Sequence, residues 1–300
     1  MALTMNVNMN NHKKNIISLK AHAKVNLFLE ILGKRDDGYH EIETIMQEIS
    51  LADNLQFEEI QEGIKLECNN KNIPINQDNL VCKAANLILK ECGIKKGVLI
   101  SLEKNIPVGA GLGGGSSDAA ATLKALNSLW KVGLNDGDLI EFAAKLGSDI
   151  PFFINGKTSL CSGRGEVISP VKVRDRMDYL ILFPRVHIST ETIYKNLKID
   201  LTKKRKDVSV FLDALKYSEV DGISKLLFNR LEEVIFATYP DLLQIKSSLE
   251  SFDFCGLSIS GSGSAFFGLC KDRHQAEVIK SKVESSRMGN VFVATNVITP

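Results

Sequence analysis

The sequence predicts a two-domain α+β protein, on three observations. An alternating β-like run at 19–31 opens the structured part, a glycine-rich loop at 104–118 sits between a strand and a helix, and residues from 177 onward interleave helical patterns with short strand pairs. Helices laid beside an antiparallel sheet make an α+β domain. With 300 residues and 44% hydrophobic content, the chain has apolar material for more than one core. The expected division is a disordered, Asn-rich lead-in at 1–15, an N-terminal domain at 16–172 and a C-terminal domain at 173–300.

In the opening run Leu19, Ala21, Ala23, Val25, Leu27, Leu29 and Ile31 fall on one side, and Lys20, His22, Lys24, Asn26 and Glu30 on the other. That is the period of a half-buried strand. His22, Lys24 and Asn26 then share a polar face at intervals of about 7 Å, facing either solvent or a ligand. The turn Gly33-Lys34-Arg35-Asp36-Asp37-Gly38 follows, then Tyr39-His40 at the start of a second β-like run over 41–49. These two rings are either a plain strand start or ligand contacts. Residues 54–60 and 63–68 are predicted to form a hairpin. Residues 78–92 are predicted as a helix, with Leu80, Val81, Ala84, Ala85, Leu87 and Ile88 inside.

The chain then reads Lys104-Asn105-Ile106-Pro107-Val108-Gly109-Ala110-Gly111-Leu112-Gly113-Gly114-Gly115-Ser116-Ser117-Asp118. A β-rich segment at 98–102 precedes it, and Ala119, Leu123, Leu126 and Trp130 follow at helical spacing. Ser116, Ser117 and Asp118 are residue types that cap a helix start. Glycines let bare backbone N–H groups turn inward, and a helix N-terminus adds partial positive charge, so this order favours a bound polyphosphate. A P-loop is excluded because no Gly-Lys followed by Ser or Thr closes the loop. A dinucleotide fingerprint is disfavoured because the chain continues as helix instead of reaching a second strand with an acidic end.

Residues 136–146 predict a helix that Gly147 terminates. Asp149 follows in Gly147-Ser148-Asp149-Ile150-Pro151-Phe152-Phe153, where an aspartate serves either as a cap or as a reactive acid. Strands around the Gly163-Arg164-Gly165-Glu166 turn are expected over 156–173. Beyond them come a strand at 177–183, a short helix at 191–197, a solvated basic loop at 203–206 and helices at 208–217, 224–237 and 242–250. Strands at 255–259 and 265–269 flank Ser260-Gly261-Ser262-Gly263-Ser264, and a helix at 275–284 and a strand at 290–296 complete the prediction.

Composition excludes several classes. A formal net charge of +1 gives no global attraction to nucleic acid or to an acidic membrane surface. Six cysteines without a Cys-x-x-Cys pair fit reduced thiols and suggest no structural zinc. The first fifteen residues lack the apolar core of a secretory signal, and no window approaches a membrane span of about 18 apolar residues. A cytoplasmic location is expected.

Three separated motifs together resemble the GHMP kinases, the family of galactokinase, homoserine kinase and mevalonate kinase. They are Ala23-Lys24-Val25-Asn26-Leu27, the stretch from Pro107 through the triple glycine to Asp118, and Ser260-Gly261-Ser262-Gly263-Ser264. The likeness spans residues 21–269. Within the family, the run from Gly33 to His40, the triple glycine and the run from Gly147 to Phe153 resemble the branch that phosphorylates a cytidine diphosphate-linked polyol in non-mevalonate isoprenoid synthesis. Homoserine or mevalonate phosphorylation is the alternative within the family.

The resemblance implies a ribosomal-protein-like α/β N-terminal domain, a ferredoxin-like α+β C-terminal domain and a substrate cleft between them. It implies Lys24 and Asp149 as the catalytic pair. It makes Pro107, Val108, Gly109, Ala110, Gly111, Leu112, Gly113, Gly114, Gly115, Ser116 and Ser117 the loop for the phosphates of ATP, with Mg²⁺ and a Ser116 or Ser117 hydroxyl as its possible ligand. Lys104 and Asn79 match further nucleotide-side positions. Asn26, Tyr39 and His40 match binders of the cytidine diphosphate end, and Tyr194 falls where an aromatic would stack on cytosine. Ser264 departs from the more familiar alanine or proline. The implied partner is a small-molecule substrate, with no nucleic acid and no membrane, and the expected state is a monomer or weak homodimer.

Overall fold

The computed structural model describes residues 15–197 and 205–298. Nearly all of the lead-in, and Lys203 and Lys204 of the basic run, lie outside the described residues.

The first half builds one mixed sheet. Its strands are β1 (Ile16–Lys34), β2 (His40–Ile60), β3 (Ile64–Cys68), β4 (Gly97–Glu103), β5 (Thr158–Gly163) and β6 (Val167–Pro170). Its helices are α1 (Leu80–Glu91), α2 (Gly114–Leu129), α3 (Asp136–Leu146) and α4 (Ile150–Asn155). The strand order is β3-β4-β2-β1, with β5 pairing β2 and β6 pairing β5. In β4 the side chains of Val98, Ile100 and Leu102 are buried while Leu99 and Ser101 are only half-buried, the alternation of a strand packed on one face. Those buried residues join Val81, Ala84, Ala85 and Ile88 of α1 and Leu123 and Leu126 of α2 in a core beneath the sheet.

The second half supplies β7 (Asp178–Phe183), α5 (Thr190–Asn196), α6 (Val208–Tyr217), α7 (Val220–Ser224), β8 (Phe228–Asn229), α8 (Glu232–Thr238) and α9 (Pro240–Leu249). It ends with β9 (Gly256–Ile259), β10 (Phe266–Cys270), α10 (Arg273–Ser285) and β11 (Asn290–Thr295). Its antiparallel sheet runs β11-β7-β10-β9. A second apolar cluster joins Val25, Leu27 and Ile45 of β1 and β2 to Tyr179, Ile181 and Phe267 of β7 and β10, so the two halves share a core. This is the expected α+β architecture. Among the described residues, no helix is long and apolar enough to cross a membrane.

Four local expectations are corrected. The polar face of β1 is solvated only at its start: Lys20 is exposed and His22 half-buried, whereas Lys24 and Asn26 are buried at 4% and 2% exposure. Register shifts at His22/Ala23 and Asn26/Phe28 break the alternation, and the glycine loop at Gly113 and the 260–264 turn at Gly261 close over Lys24 and Asn26. Residues 54–60 and 63–68 form no hairpin. β3 pairs parallel with β4, from Ile64 with Val98 to Cys68 with Leu102, and β4 lies between β3 and β2. Parallel neighbours need a long crossover, which α1 provides.

The helix after the glycine loop is not capped by Ser116, Ser117 or Asp118. It starts at Gly114 with Gly113 in the cap position at φ 71°, and no side chain satisfies its first N–H groups. Finally, 224–237 is not one helix, because Phe228 and Asn229 leave it to pair parallel with Phe28 and Leu29 of β1. The Phe28 and Phe228 rings meet at 5.6 Å.

Candidate active site

β1 delivers Lys24 to the middle of the molecule. Its backbone N–H donates to the Leu112 carbonyl at 2.9 Å, tying the strand to the glycine loop. Its Nζ lies 3.7 Å from Asp149 Oδ2 and donates to Asn26 Oδ1 at 2.5 Å. Asn26 is itself oriented, with Nδ2 donating to Thr44 Oγ1 at 2.8 Å while that hydroxyl donates to the Phe28 carbonyl at 2.6 Å. Asp149 stands at the cap position of α4 but makes no cap hydrogen bond, so its carboxylate is left for Lys24 and the cavity. Burial holds the Lys24 pKa below that of an ordinary lysine, with Asp149 opposing the shift.

A cavity of about 1010 Å³ opens beside this pair, and Asn26, Tyr39, His40, Asp149 and Tyr194 all line it. The His40 and Tyr194 rings lie 5.2 Å apart at 37°. Burial, then Lys34, lowers the His40 pKa, and burial with Asp149 raises that of the Tyr194 phenol. Tyr39 is 53% exposed at the rim, with the Arg164 guanidinium 4.9 Å from its ring centre. Sequence reasoning missed Arg164 and Lys34 as cavity residues. Both lie in Gly-bounded turns, and a basic residue in a turn carries no signal of which way it points. It missed Thr44 as well, which only strand register brings beneath Asn26.

The glycine loop encloses a second space of about 370 Å³, lined by 107–116 together with Asn79 and Lys104. Gly111 and Gly113 line both spaces, and a Cβ on Gly113 would lie 3.1 Å from Cγ of Lys24, which lines the larger one. The carbonyl of Gly111 accepts from Ser260 Oγ at 2.9 Å, and Ala265 N–H donates to the Ala110 carbonyl at 3.0 Å. Through these bonds the 260–264 turn closes over the cradle. Ser116 lies in the cradle wall, whereas Ser117 is buried inside α2 at 3% exposure.

Two nucleotide-side candidates have internal duties. Lys104 Nζ donates to Asp118 Oδ2 at 2.7 Å and to Asp53, and although burial opposes it, these carboxylates raise its pKa. Asn79 caps α1 by accepting from Val81 N–H at 2.9 Å and donates to the Pro74 carbonyl at 2.7 Å. Both still form cavity wall.

Comparison with known proteins agrees with this geometry. The family description "GHMP kinases N terminal domain" matches residues 79–157, and "GHMP kinases C terminal" matches 211–290. A 4-diphosphocytidyl-2-C-methyl-D-erythritol kinase of Caldicellulosiruptor bescii is 41% identical over 284 residues, 94% of this chain and 97% of that relative. A crystal structure of 4-(cytidine 5'-diphospho)-2C-methyl-D-erythritol kinase superposes with a TM-score of 0.83 at 34% identity, covering 94% of this chain and 100% of that one. Homoserine kinase from Cytophaga hutchinsonii, at 19% identity and a TM-score of 0.75 over 98% of each chain, shares the fold. The chain belongs to the GHMP kinase family, in the branch of the 4-diphosphocytidyl-2-C-methyl-D-erythritol kinases.

Proposed function

We propose that this protein transfers the γ-phosphoryl group of ATP to the 2-hydroxyl of 4-diphosphocytidyl-2-C-methyl-D-erythritol. One observation carries the reading. The Lys24–Asp149 pair stands where the acceptor-sized cavity and the glycine cradle share Gly111 and Gly113. A phosphorus held in the cradle and an alcohol held in the cavity then meet at this pair.

Phosphoryl transfer asks the protein mainly for alignment and charge neutralisation. The uncapped N–H groups at the start of α2 and the loop amides hold the phosphates. Asp149 accepts the proton of the 2-hydroxyl as that oxygen bonds to the γ-phosphorus, and the bond to the β,γ-bridging oxygen breaks with its electron pair leaving on ADP. Lys24, its Nζ 3.7 Å from Asp149 Oδ2, orients that carboxylate and polarises the hydroxyl. Mg²⁺, when bound, neutralises charge on the phosphates. Mg²⁺ usually keeps several waters and is bound through substrate phosphates with few protein ligands. Ser116, in the cradle wall, would offer it a hydroxyl ligand.

The cytidine diphosphate end occupies the wide part of the cavity, where Tyr39 and Tyr194 offer ring faces to cytosine and His40 a hydrogen-bonding edge. Arg164, Lys34 and Lys195 give that end positive charge for a diphosphate. Residues 16–172 supply the cradle and 173–300 the turn and helix that close the cavity. The expected partner is a small molecule, acted on by a monomer or weak homodimer. Six free thiols support the expected reducing, cytoplasmic setting. Coupled ADP release with the cytidyl acceptor beside mevalonate and homoserine is the test. Turnover with the cytidyl acceptor alone is expected, and preference for either other alcohol would overturn the assignment.

A further inference from the structure

The break in the 224–237 segment has a purpose at the site. Asn229 is 5% exposed. Its Nδ2 donates to the carbonyls of Ile259 at 2.9 Å and Gly261 at 2.8 Å, and its Oδ1 accepts from Leu231 N–H at 2.9 Å. Ile259 ends β9 and Gly261 lies in the turn that follows, so one carboxamide holds the entry to that turn. On the other side, a Cβ added to Gly261 would lie 3.0 Å from Asn26 Oδ1 and 3.3 Å from Lys24 Nζ. Gly261 is therefore the roof over the lysine, and Asn229 is the post beneath that roof.

The contacts close a ring. Lys24 and Leu29 lie on the same strand, and Leu29 pairs with Asn229. Asn229 holds Gly261, and Gly261 sits on Lys24. The other anchors of the turn run to different places. Ser260 Oγ bonds the Gly111 carbonyl, Ser264 Oγ bonds the Val186 carbonyl, and Ser262 Oγ meets Thr190 Oγ1 at 2.8 Å. Those bonds tie the turn to the cradle and to the approach to α5, whereas Asn229 ties it to the strand that bears the lysine.

We infer that Asn229 is a positioning residue for phosphoryl transfer: through Gly261 it sets the height of the 260–264 turn over Lys24 and Asn26, and with it the direction in which the ammonium faces Asp149. This rests on the kinase reading above. Asn229 touches neither cavity, so removing its carboxamide displaces the reacting groups without deleting any ligand contact. An ångström-scale misplacement of reacting groups costs on the order of 10²-fold in rate.

The test uses the full chain with Asn229→Ala and Asn229→Asp, assayed for ADP release with ATP and the cytidyl acceptor, alongside thermal melting. Asn229→Asp keeps the size and the bond from Leu231 N–H but turns an oxygen toward two carbonyl oxygens. The expected result is kcat lowered at least about tenfold in both variants, with KM for ATP and acceptor within about threefold of wild type. A folded variant with unchanged kcat, or one whose loss lies wholly in KM, overturns the inference. So does failure of both variants to fold, which would assign Asn229 to the core alone. An inactive wild type with every acceptor would fail the kinase reading itself, and the inference with it, whereas an active wild type beside unaffected variants fails the inference alone.

Discussion

A side-chain carbon on Gly111 would lie 2.2 Å from the carbonyl oxygen of Ser260, so the cradle and the closing turn meet backbone against backbone. Gly111 also holds φ at 76°, in the left-handed region that a side chain resists. Gly111→Ala is expected to push the turn away from the cradle. It should lower kcat/KM for ATP by about 10²-fold and reduce the melting temperature, as steady-state kinetics and calorimetry would read. Wild-type kinetics in this variant would show that the close approach is dispensable.

Asp149 is the proton acceptor in the proposed mechanism, and its carboxylate has no competing cap bond. Asp149→Asn keeps the shape and removes the basicity. Its kcat is expected to fall by at least about 10²-fold, the typical contribution of a general base. A kcat within about threefold of wild type would remove Asp149 from that role.

Lys24 combines burial with charge, which sets activity against stability. Its folded pKa lies below the ordinary lysine value of 10.5, so between the two pKa values the unfolded chain binds more protons and stability rises with pH. The contribution is full above 10.5 and is lost as pH falls through the folded pKa. At neutral pH the buried ammonium is thus a cost. Lys24→Met, of similar length and uncharged, is expected to melt no lower than wild type at pH 7 while kcat falls by about 10²-fold or more. Differential scanning calorimetry beside turnover measures both. For wild type, the alkaline limb of the kcat profile should lie below the titration of an exposed lysine.

On the proposed reading the nucleotide end positions the reacting alcohol, so methylerythritol without its cytidine diphosphate should be phosphorylated at least about a hundredfold less efficiently. Arg164, over the Tyr39 ring at 4.9 Å, belongs to the same end. Arg164→Ala should raise KM for the cytidyl acceptor by about two- to fivefold, the scale of an exposed cation–π contact, and leave KM for ATP unchanged. Equal efficiency of the truncated alcohol would mean the wide part of the cavity does not select the substrate.

The cradle was legible because its signals are local: strand, glycines and helix follow one another within thirty residues of chain. Lys24 and Asp149 were nameable through family resemblance, but their approach to each other depends on β1 and α4 meeting in space. What local reasoning misread depended on distant partners. The alternation in β1 left a wet face open because nothing in those residues announces the glycine loop and the 260–264 turn that cover Lys24 and Asn26. Residues 63–68 looked like the return arm of a hairpin until α1 carried β4 between them and β2. The helical pattern at 224–237 was real in α7 and α8, but Phe228 and Asn229 gain more from pairing with β1 than from two further helical bonds. At the start of α2, cap-type side chains lie one turn late, and no side-chain cap satisfies the first N–H groups.

The pairing of Phe28 with Phe228 joins positions 200 residues apart. During synthesis β1 and β2 can zip together early, but the far edge of β1 waits for most of the chain to leave the ribosome. Until then the nascent protein presents an open, apolar strand margin of the kind that recruits wrong neighbours. Chain fragments that stop short of residue 228 should therefore be the ones that clump and call on chaperones, because only the completed chain covers that edge at Phe28 and Leu29.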